Sequence, residues 1–79
     1  MDKAQRELTY GEKAVGIKFN PSGEGIVDST KQNIATIIDA LDTCRNETED
    51  GEQKRLASIA ITELQTAQMW AVKAFTWNS

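Results

Sequence analysis

The chain has 79 residues, a net charge of −3 and a single cysteine, and these values exclude several classes of protein. A chain of this length allows one small domain, whose core is marginal without further support. Because there is one Cys and no His, an internal disulfide, a His-based zinc site and a Ser-His-Asp triad are excluded. We therefore expect a single domain over residues 1–79 that is stabilised by well-packed helices or by other subunits.

Charge and hydropathy also limit the partners and the location. No apolar run approaches the ~20 residues that a membrane span needs, and residues 1–9 lack the apolar core of a signal peptide. The largest basic cluster is the pair Lys54 and Arg55, whereas long DNA or RNA needs an extended basic face. With its unpaired Cys, the chain is expected in a reducing cytoplasm, without membrane or long nucleic acid as partner, while a small anion in a local pocket stays possible.

Residues 1–27 form an amino-terminal arm that is polar at first and then rich in glycine. The glycines are dense enough to interrupt long regular elements, so we expect only a short helix near residues 3–10. The motif FNPSG holds the only proline of the chain. Because Asn20 precedes Pro21, it favours an extended or turn geometry, and this turn would direct Phe19 toward the start of the next helix.

A first long helix is predicted over residues 28–45. Asp28 or Ser29 can cap it, and Ser29 with Gln32 has the spacing of a capping box. Its apolar face consists of Ile34, Ile37, Ile38 and Leu41, at i, i+3, i+4 and i+7. The acidic segment NETEDG that follows is typical of a solvated turn.

A second, longer helix is predicted over residues 52–77, with a length of roughly 37 Å. Its first stripe of apolar residues is Leu56, Ala60, Ala67, Trp70, Ala74 and Trp77, and its second stripe is Ala57, Ile61, Leu64, Ala71 and Phe75. We expect Trp70 in the core, and Trp77 either in the core or beside a bound base. A surface helix in a monomer needs one stripe, and the first helix covers only one.

These two helices predict an all-α fold, an antiparallel helical hairpin with a glycine-rich N-terminal arm. The apolar face that the hairpin leaves uncovered is expected to pack against other copies of the chain, giving a homo-oligomer. The alternative is a loose monomer with exposed apolar surface.

The chain offers no convincing catalytic set. Its acidic residues lie on a polar helix face or in the acidic turn, where solvated charge is the simpler interpretation. Cys44 has no histidine partner and is expected to pack rather than react. The glycine motifs match neither a P-loop nor a dinucleotide fingerprint. We expect no enzyme activity, no metal and no cofactor.

Aromatic and basic residues of the arm are typical of a site for a small phosphorylated base. Tyr10 and Phe19 are interleaved with Lys13 and Lys18. Lys31 would lie in the first turn of the predicted helix, where free backbone N–H groups also favour anions. Stacking on an aromatic ring contributes ~1–3 kcal/mol per base. The alternative is that the two rings only fasten the arm to the hairpin.

The blocks GEKAVGIKFNPSG and KRLASIAITELQTAQMWAVKAFTW resemble a family of small phage proteins that counter cyclic-nucleotide immune signalling in bacteria. The family includes anti-CBASS protein two and shares a helical-hairpin domain with Thoeris anti-defence protein one. The resemblance extends over about residues 8–77. It implies antiparallel helical hairpins that assemble as a homo-oligomer, typically a hexamer.

The resemblance also implies a function. Family members bind cyclic dinucleotides such as cyclic GMP-AMP between subunits, and many bind cyclic trinucleotides at separate pockets. They sequester the messenger without cleaving it, which would block CBASS effectors in the cytoplasm of the infected host. The alternatives are a structural or assembly oligomer of a phage without a small ligand, and a hydrolase of cyclic nucleotides.

In this family an aromatic residue of the arm and a lysine contact the ligand. Tyr10 is the best match for the aromatic residue, and Lys31 is the first choice for the lysine, ahead of Lys13 and Lys18. The full predicted ligand site is Tyr10, Lys13, Lys18, Phe19, Asn20, Ser22, Gly23, Lys31 and Trp77.

Overall fold

The computed structural model describes residues 7–20 and 23–77, and it contains three helices in these ranges. They are α1 (Tyr10–Val15), α2 (Gly25–Glu47) and α3 (Gly51–Phe75), with no strand among the described residues. Only residues 48–50 separate α2 from α3, so the two long helices pack side by side in opposite directions, and α1 packs mainly on α2. The predicted all-α hairpin is confirmed.

The arm contains α1, which local sequence signals specify. The Thr9 side chain accepts from the Glu12 backbone N–H at 3.0 Å, and Glu12 Oε1 accepts from the Thr9 N–H at 3.0 Å. This reciprocal pair is a capping box. Gly16 ends the helix at a φ of 64°, where glycine avoids the steric cost of a Cβ. The short helix predicted near residues 3–10 is thus displaced: residues 7–9 are not helical, and residues 3–6 lie outside the described ranges.

The start of α2 differs from the prediction, because the helix begins at Gly25 rather than at Asp28. Asn20 Nδ2 donates to the Glu24 carbonyl at 2.8 Å and to Asp28 Oδ1 at 2.9 Å, and Asn20 Oδ1 accepts from the Glu24 N–H at 3.3 Å. Ser29 donates to the Gly25 carbonyl inside the helix. The predicted caps, Asp28 and Ser29, are therefore wrong. The Asn20 side chain, which lies outside the helix, holds its first turn through these hydrogen bonds.

The other ends of the long helices lie close to their predicted positions. α2 continues to Glu47 rather than ending at residue 45. α3 starts at Gly51, with Asp50 accepting from the backbone N–H groups of Glu52 at 2.9 Å and Gln53 at 3.4 Å. It ends at Phe75 instead of Trp77, and residues 76–77 form a turn.

The core lies where α1, α2 and α3 meet. Its buried residues are Val15, Ala35, Ile38 and Ile61, with Ala14, Ile17, Ile34, Leu41 and Leu64 packed around them. The backbone of α1 approaches α2 closely at Gly11, where a Cβ would lie 2.1 Å from the Ala35 carbonyl oxygen. The Gly11 N–H donates to Asp39 Oδ1 at 2.7 Å. This contact fixes α1, and with it the arm, on the hairpin.

Large apolar side chains remain exposed on the described part of the chain. The second stripe contains the buried residues Ala57 and Ile61, although Phe75 at its end is exposed, whereas Leu56, Trp70 and Trp77 of the first stripe are all exposed. Trp70 is 65% exposed, so its predicted place in the core is wrong for the single chain. The exposed set is Tyr10, Phe19, Ile26, Ile37, Leu56, Ile59, Met69, Trp70, Phe75 and Trp77. None of the described helices has the length and apolar character of a membrane span.

Candidate functional site

A surface groove of about 490 Å³ lies between the arm and the C-terminal half of α3. It is lined by Lys13, Ala14, Val15, Gly16, Phe19, Lys31, Gln68, Met69 and Val72. Three of the predicted site residues, Lys13, Phe19 and Lys31, therefore share one groove. Lys13 is exposed and contributes an ammonium group beside a wall that is mostly apolar.

The floor of this groove contains Lys31, which is only 2% exposed. Its Nζ donates to the Gly16 carbonyl at 2.9 Å and to the Phe19 carbonyl, and it lies 5.2 Å from the centroid of the Phe19 ring. Burial lowers the pKa of Lys31, while the charge of Asp28 opposes this shift. Because α2 begins at Gly25, Lys31 lies in the second turn and not at the free helix start. Its phosphate contact stays a prediction, with two of the three ammonium N–H donors already directed at carbonyls.

Tyr10 lies at the other end of α1, and a guanidinium group covers part of its ring. Arg45 Cζ lies 5.2 Å from the ring centroid. Arg45 Nε donates to Asp42 Oδ1 at 2.9 Å, and its Nη1 donates to the Ser58 hydroxyl at 3.1 Å. The Tyr10 side chain and, after it, Asp42 raise the pKa of Arg45. Tyr10 is 45% exposed, so a large part of the ring is open to a ligand or to another copy of the chain.

The remaining predicted residues do not line the groove. Lys18 is exposed, Asn20 is bonded to the start of α2, and Gly23 has a φ of 67° with its N–H donating to the Asn20 carbonyl at 3.0 Å. Ser22 lies outside the described residues. Trp77 is 71% exposed in the turn after α3. The predicted set is therefore divided between a groove, an exposed ring and structural residues of the turn.

The structure also adds residues to the site that sequence reasoning missed. Arg45 was not among the predicted site residues, but it contacts Tyr10 across a long interval of sequence. Met69 and the buried Gln68 line the groove from α3. No local motif marks these contacts, because they arise only when α1 and α3 are docked against α2.

The chemistry available at these positions is stacking and charge. Tyr10 and Phe19 offer exposed ring surface, and Lys13 offers an ammonium group. Among residues 7–20 and 23–77, no group of three or more His, Cys, Asp or Glu side chains could hold a metal ion. The Sγ of Cys44 accepts from Gln53 Nε2 at 3.3 Å. The arrangement suits a planar, anionic ligand.

One known family model covers both the hairpin and the residues that line the groove. The family model of the Acb2/Tad1 hairpin domain matches residues 12–76. This range contains all of α2 and α3 and every residue that lines the groove, while Tyr10 lies just before it. The resemblance indicated by the two sequence blocks is confirmed. No curated protein and no solved structure is significantly similar to the chain.

Proposed function

The chain belongs to the Acb2/Tad1 hairpin domain family, and we propose that it is a phage sponge that binds and sequesters cyclic dinucleotide immune messengers such as cyclic GMP-AMP. Membership of this family is consistent with a phage anti-defence sponge role. In our proposal the captured messenger no longer activates CBASS effectors in the cytoplasm of the infected host. Cyclic trinucleotides are the second class of ligand to test.

The observation that carries this proposal is the pair of exposed aromatic rings on the arm, each in contact with a cation of α2. Tyr10 lies against Arg45, and Phe19 lies against Lys31 beside the groove. A ring held in place stacks on a nucleobase at ~1–3 kcal/mol per base. Nanomolar capture needs about −12 kcal/mol, so two stacked bases and two paired phosphates supply a large part of it if the pocket is preformed.

Assembly into a homo-oligomer, with the hexamer as the expected form, is part of the proposal. Support comes from the exposed first stripe of α3, where Leu56, Trp70 and Trp77 are all outward-facing. Apolar surface of this kind is typical of contacts between copies of a chain. Tyr10 and the groove would then lie beside such contacts, as a ligand bound between subunits requires.

We further propose that the protein holds its ligand without cleaving it. Hydrolysis of a phosphodiester is usually assisted by metal ions or by a general base with a pKa near neutrality. The chain has no histidine, and Lys13, Tyr10 and Phe19 are groups that bind a phosphorylated base in its ground state without any need to favour the transition state. Binding would then be reversible and stoichiometric.

A panel of cyclic di- and trinucleotides tests the binding proposal, with thermal shift as the screen and calorimetry as the quantitative measurement. We expect at least one cyclic dinucleotide to raise the melting temperature and to bind stoichiometrically. Light scattering behind a sizing column should give a mass several times the 8.7 kDa of one chain. An oligomer that binds none of these nucleotides would favour the assembly role and overturn the sponge.

Cleavage is tested separately. The protein is incubated with excess cyclic dinucleotide and Mg²⁺ or Mn²⁺, heat-denatured, and the supernatant is chromatographed. We expect full recovery of the intact cyclic ligand. Linear dinucleotide beyond one equivalent per site would show that the protein is an enzyme.

A further inference from the structure

We infer that Arg45 is a positioning residue that holds the Tyr10 ring in the orientation in which it stacks on a nucleobase. This inference rests on the proposed function for the identity of the ligand. It adds a second residue of α2, beside Lys31, to the site that was predicted from the sequence.

Arg45 lies where the three helices of the described chain meet. The guanidinium lies over the ring of Tyr10 from α1, pairs with Asp42 of α2 at 2.9 Å and donates to Ser58 of α3 at 3.1 Å. Its side chain is 23% exposed. A planar fork with several N–H donors can satisfy these partners at once, whereas a lysine ammonium is a flexible point charge. Asp42 and Ser58 therefore fix the guanidinium, and the guanidinium fixes the ring.

The backbone beneath Tyr10 is fixed independently of Arg45. Thr9 on one side belongs to the capping box of α1, and the Gly11 N–H on the other side donates to Asp39 at 2.7 Å. What remains free is the rotation of the Tyr10 side chain, which is 45% exposed and is not part of the buried core. Arg45 removes this freedom before a ligand arrives, which lowers the entropic cost of binding.

The matched pair Arg45→Met and Arg55→Met tests this inference. Arg55 also pairs with an acidic residue three positions before it, Glu52, but both side chains of that pair are exposed. Within residues 7–20 and 23–77, the cation–ring contacts involve Lys31, Arg45 and Lys73 and not Arg55. Both variants lose one positive charge, so the two proteins are matched in net charge when they meet an anionic ligand. We expect Arg45→Met to weaken cyclic GMP-AMP binding about 3- to 30-fold beyond Arg55→Met, as loss of a partly buried cation–ring contact implies. Arg45→Lys should restore part of the loss.

A spectroscopic measurement separates ring position from ligand binding. Tyr10 is the only tyrosine of the chain, so incorporation of 3-fluorotyrosine gives one ¹⁹F resonance, recorded without ligand. We expect Arg45→Met to shift this resonance and Arg55→Met to leave it in place, with the helical circular dichroism of both variants intact.

An unmoved ¹⁹F resonance in Arg45→Met overturns the inference, whatever the binding data show. Equal cyclic GMP-AMP affinities for Arg45→Met and Arg55→Met also overturn it when the wild-type protein binds. If the wild-type protein does not bind cyclic GMP-AMP, the assignment of this ligand fails, and the resonance alone decides whether Arg45 holds the ring. A Tyr10→Ala variant that already binds weakly should lose little more affinity when Arg45→Met is added, because both substitutions remove the same contact between the ring and the guanidinium.

Discussion

The arm contacts α2 at the two ends of its segment from Tyr10 to Phe19. Each contact pairs an aromatic ring with a cation, but the consequences differ. At one end Arg45 is fixed by the side chains of Asp42 and Ser58 and contacts the ring of Tyr10. At the other end Lys31 is almost fully buried and donates to backbone carbonyls, including that of Phe19. Arg45 therefore holds a side chain, whereas Lys31 holds a turn of the main chain.

This difference indicates how a small domain divides stability and binding between similar contacts. Loss of Lys31 removes a charged donor from the Gly16 and Phe19 carbonyls, of which the Gly16 carbonyl still accepts from the Phe19 N–H at 2.9 Å, and this lowers the stability of the fold. Loss of Arg45 leaves a half-exposed ring free to rotate, which weakens the stacking of a ligand base on that ring. Lys31, which was predicted to contact the ligand, holds a turn of the main chain, and its phosphate contact stays a prediction. Arg45, which was not among the predicted site residues, lies beside the exposed ring of Tyr10.

The largest effect is expected from Gly11→Ala, which disrupts the Tyr10 end of the arm. A Cβ at this position would lie 2.1 Å from the Ala35 carbonyl oxygen, an atom of the helix backbone that cannot move aside. We expect α1 to separate from α2 at a cost of about 3 kcal/mol in the free energy of unfolding. Urea unfolding at a fixed protein concentration measures it.

Gly25→Ala is the matched control, because a Cβ there meets no atom within 4 Å. The same substitution in open space should be neutral or slightly stabilising. Equal stability of Gly11→Ala and Gly25→Ala would contradict the close approach of α1 to α2 on which the position of Tyr10 depends.

The second prediction decides which ring takes the base. Tyr10→Ala should weaken cyclic dinucleotide binding by roughly 10–100-fold, since it removes a stacking surface of ~1–3 kcal/mol. Phe19→Ala, which removes the more exposed ring, should cause a smaller loss. Calorimetry with both variants measures the difference, and light scattering should show an unchanged mass for both. If only Phe19→Ala weakens binding, the groove end holds the base and Tyr10 has been misassigned.

The hairpin itself could be predicted from sequence, because its apolar spacing reports burial along each helix. α1 could also be predicted, because the Thr9 to Glu12 spacing is a capping-box signal and Gly16 is a C-terminal signal, although the density of glycine in the arm favours irregular structure instead. The Tyr10 to Arg45 contact could not be found, because it depends on how α1 docks. The exposure of Trp70 could not be found either, because two stripes on α3 do not reveal which one faces α2.

The third prediction concerns the turn held by Lys31. Lys31→Met should keep an unbranched side chain that reaches as far as the Lys31 Cε but remove the donor to the Gly16 and Phe19 carbonyls, at a cost of about 1–3 kcal/mol in the free energy of unfolding. Lys54→Met is the control, because the Lys54 ammonium also donates to a backbone carbonyl, that of Arg45 at 2.9 Å, but at an exposed position. Its cost should stay within about 0.5 kcal/mol. Equal losses for the two variants would mean that burial adds nothing to the Lys31 contact.

The smallest expected effect is a pH dependence of stability that Lys31 confers. Burial lowers the pKa of Lys31 below its ordinary value of 10.5, with Asp28 partly opposing the shift. Between the folded-state pKa and 10.5 the unfolded chain binds more protons than the folded chain, so the free energy of unfolding rises with pH in that window. Below the window the side chain is charged in both states and contributes no pH dependence.

We therefore expect wild-type protein to gain stability relative to Lys31→Met as the pH rises through the alkaline window toward 10.5, and the difference to be constant at lower pH. Urea midpoints followed by tryptophan fluorescence at stepped pH give this difference. A difference that shrinks as the pH rises would mean that the folded state favours the charged ammonium. Lys31 would then be better solvated than its burial indicates, and the contrast between its end of the arm and the Arg45 end would be smaller.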